Sequence, residues 1–512
     1  MPLPDTFNAA TYFVDRHLAE GRGGKVAIEC GDERVTYGQV AERVNRFGAA
    51  LRRLGIQPEQ RCALMLLDSP AFAYSFFGAI KMGAVPVPIN TMWRARDYQF
   101  ALSDSGARVL VISRALLGEF EAIDRAQLPR LEHVMVVGEQ RDGDLDFDAV
   151  LADAPATCEP EPTHKDAVAF WLYSSGSTGS PKGCVHLQHD MVVCAESYAQ
   201  AVLGMRETDR CFSAAKLFFA YGLGNALYMP FSVGATAILL PEPPAAARVY
   251  EIIERYRPTL FFSVPTNFAM LLAHQPGPRE FDLSSVRHAV SAGESLPEPL
   301  YRRFKQRFGV EILDAIGSTE VLHMFIANRP GAVRPGSSGQ IVPGYEARIV
   351  DDDDRPVPVG EMGNLLIRGD STCAFYWNQH DKTKRTIQGD WIRTGDKYTE
   401  DADGYFWYAG RVDDMLKPGG IFVSPVEIES ALIDHDAVLE CAVVGRDDVD
   451  GLSKPFAFVV LQPGAAGSPE LAATLQQFVR SRLPDYKRPR GIEFVAELPK
   501  TATGKLQRYK LR

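Results

Sequence analysis

Short apolar runs alternate with amphipathic stretches along the first 320 residues of the chain. Each run is about as long as a strand that is buried on both faces of a parallel sheet. The runs are residues 63–67, 108–112, 133–137, 167–173, 237–240, 259–264 and 286–291. Between them lie stretches such as Glu298–Phe308, whose apolar residues recur at helical spacing. The alternation predicts an α/β fold in which two wound parallel sheets are flanked by helices.

The pattern changes after residue 330, where glycine and proline become frequent. Alternating apolar and polar residues at 346–350 and 364–368 predict short antiparallel strands. The acidic run 351–354 between them is followed by Arg355 and predicts a solvated turn, not a metal site. This part of the chain is therefore expected to form a smaller antiparallel unit.

A third pattern begins near Asp413. It predicts helices at 425–432 and 470–483, and strands at 439–444, 456–461 and 492–495. A stretch of about 100 residues is long enough for a separate α+β domain. We therefore predict two domains, residues 1–412 and residues 413–512.

Composition and charge exclude several classes of protein. Of the 512 residues, 46% are apolar and 23% are charged, which is typical of a globular protein and excludes disordered and fibrous classes. The net charge is −10 and no basic block occurs, so we expect neither a nucleic-acid partner nor an anionic membrane partner. An anionic ligand would therefore need a local binding site.

Targeting signals and cysteine spacing bear on the compartment. The first 20 residues include Asp5, Asp15 and Arg16 and lack the apolar core of a signal peptide. No apolar run approaches the ~20 residues of a membrane helix. The eight cysteines include no C-x-x-C pair, a pattern typical of reduced thiols and not of a zinc site or a disulfide framework. We expect a cytoplasmic protein.

The most informative segment is residues 174–183, which read Ser-Ser-Gly-Ser-Thr-Gly-Ser-Pro-Lys-Gly directly after an apolar run. Glycines let backbone N–H groups approach a ligand, and hydroxyls and a lysine add donors and charge, so the segment predicts a polyphosphate site. It is not a Walker A loop, because the Gly-Lys-Ser/Thr ending is missing. A flexible surface turn is the alternative interpretation. The predicted phosphate-binding residues are Ser174, Ser175, Gly176, Ser177, Thr178, Gly179 and Lys182.

This loop resembles the signature loop of the adenylate-forming acyl-CoA synthetase superfamily. Four further segments match that superfamily in order: Gly-Ser-Thr-Glu at 317–320, Thr-Gly-Asp at 394–396, Gly-Arg-Val-Asp at 410–413 and Pro-Lys-Thr-Ala-Thr-Gly-Lys at 499–505. The match spans essentially the whole chain. It implies a large N-terminal domain of two wound α/β sheets plus a small β-barrel, followed by a small, mobile α+β C-terminal domain.

The resemblance also implies how ATP and Mg²⁺ are bound. Thr319 matches an α-phosphate contact, and Glu320 matches the magnesium ligand, a role that suits a hard carboxylate oxygen. Asp396 matches a ribose contact, and Arg411 a second ribose or phosphate contact. The remaining implied nucleotide-site residues are Gly293, Glu294, Asp314, Ile316, Gly317, Ser318 and Tyr408. Many relatives have an aromatic residue at the position of Ile316, so stacking on adenine is expected to be weaker or supplied elsewhere, for instance by Tyr408.

The C-terminal residues implied by the resemblance concern catalysis and domain rotation. Lys505 matches the mobile lysine that bridges carboxylate and phosphate, although a merely solvated basic tail is the alternative. Asp413 matches the hinge, where a few residues absorb a large change in backbone angles. Gly419 and Gly420 match the loop that lines the coenzyme A tunnel.

The acyl pocket resembles that of the benzoate-CoA ligase branch. The implied aryl-binding residues are Phe219, Ala220, Tyr221, Ala292, Gly293, Gly317, His323 and Met324. Core packing is the alternative for the aromatic members, but Gly222 and Gly224 favour a loop at the end of a strand. If a helix begins near Glu320, His323 shares its face. We expect His323 to line the pocket and assign it no general-base role. Met324 replaces an expected branched aliphatic residue, which leaves hydroxybenzoates and aminobenzoate open.

The resemblance predicts an ATP-dependent aryl-CoA ligase that converts benzoate, or a hydroxy- or amino-substituted benzoate, to its CoA thioester through an acyl-adenylate. Its ligands are then ATP, Mg²⁺, coenzyme A and a small aromatic carboxylate, and a homodimer is left open. One alternative is an enzyme that loads an aryl acid onto a separate carrier protein. Another is a catalytically silent nucleotide- or ligand-binding protein on the same fold.

Overall fold

The structure is a computed structural model that describes residues 3–139, 143–176, 179–274, 281–416, 423–447, 453–500 and 506–511. Its strands are β1 (Val26–Cys30), β2 (Glu33–Thr36), β3 (Arg61–Met65), β4 (Val85–Pro88), β5 (Val109–Ser113), β6 (His133–Val137), β7 (Leu145–Asp146), β8 (Val168–Gly176), β9 (Gly179–Leu187), β10 (Arg210–Ser213), β11 (Thr236–Leu239), β12 (Leu260–Ser263), β13 (His288–Ser291), β14 (Ile312–Gly317), β15 (Met324–Ala327), β16 (Gln340–Ile341), β17 (Glu346–Val350), β18 (Gly363–Arg368), β19 (Phe375–Tyr376), β20 (Ile387–Gln388), β21 (Trp391–Glu400), β22 (Phe406–Arg411), β23 (Val438–Asp447), β24 (Ser453–Leu461) and β25 (Gly491–Phe494).

The α-helices are α1 (Arg16–Ala19), α2 (Tyr37–Arg53), α3 (Pro70–Lys81), α4 (Ala95–Ser105), α5 (Leu117–Glu121), α6 (Phe147–Asp153), α7 (Asp190–Cys194), α8 (Ala220–Leu223), α9 (Met229–Val233), α10 (Ala246–Tyr256), α11 (Pro265–Ala273), α12 (Glu298–Phe308), α13 (His380–Thr386), α14 (Pro425–Ile433) and α15 (Pro469–Arg480). In the described part of the chain, no helix has both the length and the apolar character needed to cross a membrane.

The first wound sheet has five strands in the order β4-β3-β5-β6-β7, and all of its pairs are parallel. The predicted strands at 63–67, 108–112 and 133–137 are β3, β5 and β6. The side chains of β5 are buried along its whole length, as expected for a parallel strand covered on both faces.

The second wound sheet has nine strands in the order β16-β15-β14-β13-β12-β10-β11-β1-β2. Its centre is parallel, whereas β2, β15 and β16 are antiparallel additions at the two edges. The predicted strands at 237–240, 259–264 and 286–291 are β11, β12 and β13. Helix α12 spans the predicted residues and buries Leu300, Tyr301 and Phe304. The prediction of two wound parallel sheets is therefore confirmed.

One predicted parallel strand belongs to a different arrangement. The run 167–173 forms β8, which pairs antiparallel with β9, and β9 pairs antiparallel with β19. The prediction of a parallel strand at this place was wrong. Phe170, Trp171 and Leu172 are all buried, and a run that is apolar on both faces does not reveal the direction of its partner. We call β8, β9 and the tip between them the phosphate hairpin.

The later parts of the chain follow the predicted elements closely. Strands β17, β18, β20, β21 and β22 form a five-stranded antiparallel sheet at the place of the predicted barrel. The C-terminal unit packs α14 and α15 on the sheet β23-β24-β25. The fold class, a large N-terminal α/β part with a smaller C-terminal domain, is confirmed, whereas the boundary at 412/413 stays a prediction.

Candidate active site

The phosphate hairpin holds Lys182 next to Glu320. In the hairpin, Ser174 pairs with Lys182 and Gly176 with Gly179. The Lys182 Nζ lies 3.8 Å from Glu320 Oε1. It also lies 5.3 Å from the centre of the Tyr376 ring, a cation–π distance. Ser177 and Thr178 lie outside the described residues, so their predicted phosphate contacts stay predictions.

Glu320 lies in a single turn of 3-10 helix, Thr319–Val321, which we call the Glu320 turn. The turn follows β14 and begins where the Ser318 hydroxyl accepts a hydrogen bond from the Val321 N–H. The Tyr376 hydroxyl donates to Glu320 Oε1 at 2.8 Å. Thr319 and Glu320 are half-buried, so both side chains remain accessible to a ligand at this turn.

The donor set at Glu320 fits a magnesium ion that arrives with ATP. Mg²⁺ is usually held by one or two carboxylates together with substrate phosphates and water. Among the described residues, no three His, Cys, Asp or Glu side chains cluster closely enough to hold a metal. Glu320 therefore suits Mg²⁺ as a MgATP ligand and not as part of a metal cage made by protein alone.

The condition under which His323 would share a face with Glu320, a helix that begins near Glu320, is not met. The Glu320 turn ends at Leu322, whose φ of 67° lies in the left-handed region, and β15 begins at Met324. His323 is 2% exposed, and its Nε2 lies 3.1 Å from Asn225 Oδ1. Burial lowers the pKa of the His323 imidazole to about 3, so the ring is neutral. The two side chains therefore contact different neighbours, and His323 belongs to the pocket.

The segment after β10 supplies the predicted acyl-pocket residues. Phe219 precedes α8, which continues into a π-helical turn, Gly224–Tyr228. The Tyr221 hydroxyl lies 3.1 Å from the carbonyl oxygens of both Ser263 and Val290, at the ends of β12 and β13. The Tyr221 ring centre lies 5.9 Å from that of His323. Tyr221 therefore connects this segment to the ends of strands β12 and β13 in the second wound sheet.

The glycines of this segment were predicted to lie in a loop, and this prediction was wrong. Gly222 lies in α8, where an added Cβ would come 2.1 Å from the Lys216 carbonyl oxygen. Gly224 begins the π-helical turn, where a Cβ would come 2.5 Å from His323 Cδ2. Close approach of backbone and imidazole, and not turn geometry, explains why glycine is required.

The remaining pocket residues lie where β13, β14 and β15 end or begin. Ala292 follows β13 and is buried, and Gly293 has a φ of 88°. Gly317 pairs with Met324, and a Cβ on Gly317 would come 2.5 Å from the His323 carbonyl oxygen. Met324 is 2% exposed. The structure thus gathers Tyr221, Gly317, His323 and Met324 in one apolar neighbourhood.

Candidate adenine contacts lie at the carboxyl ends of β13 and β14, where wound sheets bind ligands. Asp314 is buried, and its Oδ2 lies 3.5 Å from the Leu296 backbone nitrogen. Burial raises the pKa of the Asp314 carboxyl well above its ordinary value. Glu294 accepts a hydrogen bond from the Thr266 hydroxyl at 3.0 Å. A buried carboxyl oxygen at this position could accept a hydrogen bond from the amino group of a base. Ile316 lies in the same strand and pairs with Ile326.

The predicted ribose contacts face each other on two antiparallel strands. Asp396 on β21 pairs with Arg411 on β22, and Arg411 Nη1 lies 3.0 Å from Asp396 Oδ1. The same nitrogen donates to the Thr394 carbonyl at 2.9 Å. Tyr408 is half-buried and packs on Tyr398 with ring centres 5.4 Å apart. This arrangement keeps the predicted ribose pair together.

The predicted mobile lysine, tunnel glycines and hinge all belong to the last 100 residues of the chain. Lys505, Gly419 and Gly420 lie outside the described residues, and their roles stay predictions. The backbone of Asp413 forms part of a 3-10 turn, Val412–Asp414. The residues that flank the 501–505 segment are paired, because Lys500 and Leu506 form an antiparallel bridge.

Sequence reasoning missed residues that surround Glu320. Tyr376 donates to Glu320, and Lys382 on α13 lies close to Lys182. Burial and then the neighbouring Lys182 charge lower the pKa of Lys382. The signal available in the sequence was the segment 375–378, Phe-Tyr-Trp-Asn, an aromatic run in an otherwise polar stretch.

Comparison with known proteins identifies the family. The AMP-binding enzyme model matches residues 15–377, and the AMP-binding enzyme C-terminal domain model matches residues 427–505. The chain belongs to the AMP-binding enzyme family. A benzoate–CoA ligase of Thauera aromatica is 50% identical over 512 residues, which cover 100% of this chain and 96% of that protein.

Two crystal structures share the fold over nearly the full length. An anthranilate CoA ligase in complex with anthranoyl-AMP has a TM-score of 0.96 and 46% identity, covering 100% of this chain and 97% of the other. A benzoate CoA ligase from Burkholderia xenovorans LB400 has a TM-score of 0.91 and 46% identity, covering 99% of this chain and 100% of the other. The predicted membership of the adenylate-forming superfamily, in its aryl-CoA ligase branch, is confirmed.

Proposed function

We propose that this protein is an AMP-forming ligase that converts benzoate, or a benzoate with a small polar ring substituent, to its CoA thioester. In the first step, a carboxylate oxygen of the acid attacks the α-phosphorus of ATP, and the bond to pyrophosphate breaks. In the second step, the coenzyme A sulfur attacks the acyl carbon, the bond to AMP breaks, and the thiol proton is released. Full-length similarity to aryl-CoA ligases supports this activity.

The observation that carries the proposal is the difference between the two ends of the stretch that joins β14 to β15. At one end of this stretch, Glu320 lies beside Lys182. At the other end, the neutral, buried His323 lies among aromatic rings. A charged phosphate region and an apolar ring region thus meet within a few residues, which is what joining an aromatic carboxylate to a nucleotide requires.

The charged residues would hold the nucleotide while the first step takes place. Attack of a carboxylate on a phosphate brings two anions together, so preorganised positive charge lowers the barrier. Lys182 supplies such charge, Thr319 a hydroxyl donor and Glu320 a ligand for Mg²⁺. When bound, Mg²⁺ would offset charge on the phosphate oxygens. Lys505 is proposed to neutralise the reacting carboxylate and phosphate in the first step only, which leaves the C-terminal domain free to turn about Asp413 for the second.

Buried polar atoms next to the pocket support acids with a polar ring substituent. The Tyr198 Oη has no hydrogen-bond partner within the described residues, and the Tyr228 hydroxyl and the Asn225 amide are further buried polar groups beside His323. The Tyr198 and Tyr228 rings lie 5.3 Å and 6.4 Å from that of His323. A hydroxyl or amino substituent that reaches these atoms would satisfy groups whose burial is otherwise costly. We therefore expect hydroxy- or aminobenzoate to be accepted together with benzoate.

One assay series tests the proposal. Pyrophosphate release on mixing the protein with MgATP and benzoate, its hydroxy and amino derivatives or short aliphatic acids distinguishes an enzyme from a silent binding protein. Thioester formation is then compared with two acceptors, coenzyme A and a phosphopantetheinyl carrier protein. The preferred acceptor distinguishes the ligase from a carrier-loading enzyme. Absence of pyrophosphate release with every aromatic acid would refute the proposal. Gel filtration tests the homodimer and cell fractionation the cytoplasmic location, both of which stay proposals.

A further inference from the structure

Three polar side chains lie where β9, the second strand of the phosphate hairpin, ends and α7 begins. They are His186, His189 and Asp190, and we call them the Asp190 cluster. The side chains of His186 and Asp190 are fully buried, and that of His189 is 18% exposed. Polar groups at this depth are retained when they satisfy one another or hold something in place.

His186 connects Asp190 to the Glu320 turn. Its Nδ1 lies 2.7 Å from Asp190 Oδ2, and its Nε2 lies 2.8 Å from the Thr319 carbonyl oxygen. A carbonyl oxygen can only accept, and Asp190 Oδ2 already accepts from the Leu187 N–H at 3.1 Å. The His186 Nε2 must therefore carry the proton that it donates to the Thr319 carbonyl, while Nδ1 faces Asp190 Oδ2.

His189 extends the cluster to a second loop. Its Nδ1 lies 3.0 Å from the Lys165 carbonyl oxygen, and its Nε2 lies 3.0 Å from the Asp370 carbonyl oxygen. The same Nε2 lies 3.2 Å from Asp190 Oδ1. Asp190 thus places one carboxylate oxygen near each histidine.

His186 and the loop that begins at Asp370 both bond to the backbone of the Glu320 turn. His186 holds the Thr319 carbonyl directly. The loop that begins at Asp370 continues to Ser371, whose hydroxyl donates to the Val321 carbonyl at 2.8 Å, and to Cys373, whose N–H donates to the Glu320 carbonyl at 2.7 Å. All three carbonyl groups of the turn are therefore held by residues outside it.

We propose that Asp190, acting through His186 and His189, is the positioning residue of the phosphate site. It holds the backbone of the Glu320 turn so that Thr319 and Glu320 are already oriented when MgATP binds. A misplacement of about 1 Å in such a site can cost ~100-fold in rate. The inference rests on the proposed function, because it assumes that Thr319 and Glu320 contact MgATP.

The kinetic test uses two cluster variants, a matched control and a reference. His186→Phe keeps a ring to stack on Phe170, 5.4 Å away, and removes both hydrogen bonds. Asp190→Asn removes the charge with little change in volume. His17→Phe is the control, because His17 is equally buried, bonds the Phe231 carbonyl at 2.7 Å and is not part of the candidate site. Glu320→Gln is the reference for a direct loss at the metal ligand.

We expect KM for MgATP in pyrophosphate release to rise about 10- to 100-fold in both cluster variants. KM for benzoate should stay within about twofold, and His17→Phe should lower thermal stability without changing either KM. The inference is wrong if both cluster variants keep the wild-type KM for MgATP. It is also wrong if they raise KM for benzoate by as large a factor as KM for MgATP. If His186→Phe does not fold, Asp190→Asn decides.

A second readout uses the wild-type protein and is independent of the proposed function. With ¹⁵N-labelled histidine, the His186 resonances are those that disappear in His186→Phe or shift in Asp190→Asn. We expect an attached proton on Nε2, the ring nitrogen that faces the Thr319 carbonyl, and an Nε2 without a proton would overturn the inference. If Glu320→Gln leaves KM for MgATP unchanged, the proposed role of Glu320 fails, whereas this NMR result still tests the cluster.

Discussion

Replacing Tyr376 by phenylalanine tests the contact that holds Glu320 in place. The Tyr376 hydroxyl donates to Glu320 Oε1 at 2.8 Å. Burial, followed by the Glu320 charge, raises the pKa of this hydroxyl, so it remains a donor. Tyr376→Phe removes that donor and keeps the ring that faces Lys182 at 5.3 Å. The substitution therefore isolates one hydrogen bond.

The expected size follows from the charge on the acceptor. A hydrogen bond to an ionised group contributes about 1.5–3 kcal/mol. Because about 1.4 kcal/mol corresponds to a factor of ten, loss of the bond should lower kcat/KM for MgATP about 10- to 150-fold. The loss arises because the Glu320 carboxylate then loses its short hydrogen bond and keeps the more distant Lys182, whose Nζ lies 3.8 Å away.

The assay is pyrophosphate release at varied MgATP with saturating benzoate, repeated at varied free Mg²⁺. Tyr405→Phe is a matched control, because its hydroxyl donates at 2.9 Å to the Ala332 carbonyl and not to a site residue. We expect the control to keep the wild-type MgATP dependence. A Tyr376→Phe enzyme with unchanged kcat/KM for MgATP and unchanged Mg²⁺ dependence would show that this contact does not orient Glu320.

Three further predictions concern catalysis, the pocket and pH. Lys505→Ala should slow acyl-AMP formation ~10²–10³-fold or more and spare thioester formation from presynthesised acyl-AMP, whereas Asp413→Pro should show the reverse; equal losses in both half-reaction assays would contradict this division. Ala220→Leu should reduce kcat/KM for benzoate more than for a small aliphatic acid, because overpacking costs ~1–3 kcal/mol where a ring must fit. The folded-state pKa of His323, about 3, lies below its ordinary 6.5, so His323 should cost ~1.4 kcal/mol of stability per pH unit as pH falls from 6.5 towards 3. Denaturant unfolding should show a shallower pH dependence for His323→Asn in that range, and equal slopes would contradict the prediction.

The sequence alone was sufficient for the features that depend on local chemistry. The periodicity of Glu298–Phe308 predicted α12 to the residue. Apolar residues that recur about once per helical turn form one apolar face, and this pattern specifies a helix without knowledge of its partner. The helix predicted at 425–432 is α14, Pro425–Ile433. The segments at 174–183 and 317–320 indicated the family, since each combines unusual residue types at fixed spacing.

Only the tertiary structure decided how those segments meet. The apolar run of β8 does not encode the direction of its partner, and the antiparallel pairing with β9 brings Lys182 to Glu320. The short turn after Ser318 ends where Leu322 adopts a left-handed φ, so no longer helix carries both Glu320 and His323. No local pattern marks that position, because backbone strain of this kind persists only where surrounding contacts hold it.

Tertiary contacts also decided which side chains form hydrogen bonds with the site residues. Tyr376 reaches Glu320, and His186 reaches the Thr319 carbonyl, across large separations in the chain. A lone tyrosine or histidine in a sequence has no periodicity that distinguishes a core residue from one that holds an active-site turn. Residue chemistry therefore determined which ligands this protein can bind, and long-range packing determined which side chains orient them, because hydrogen bonds depend on distances that only the folded chain sets.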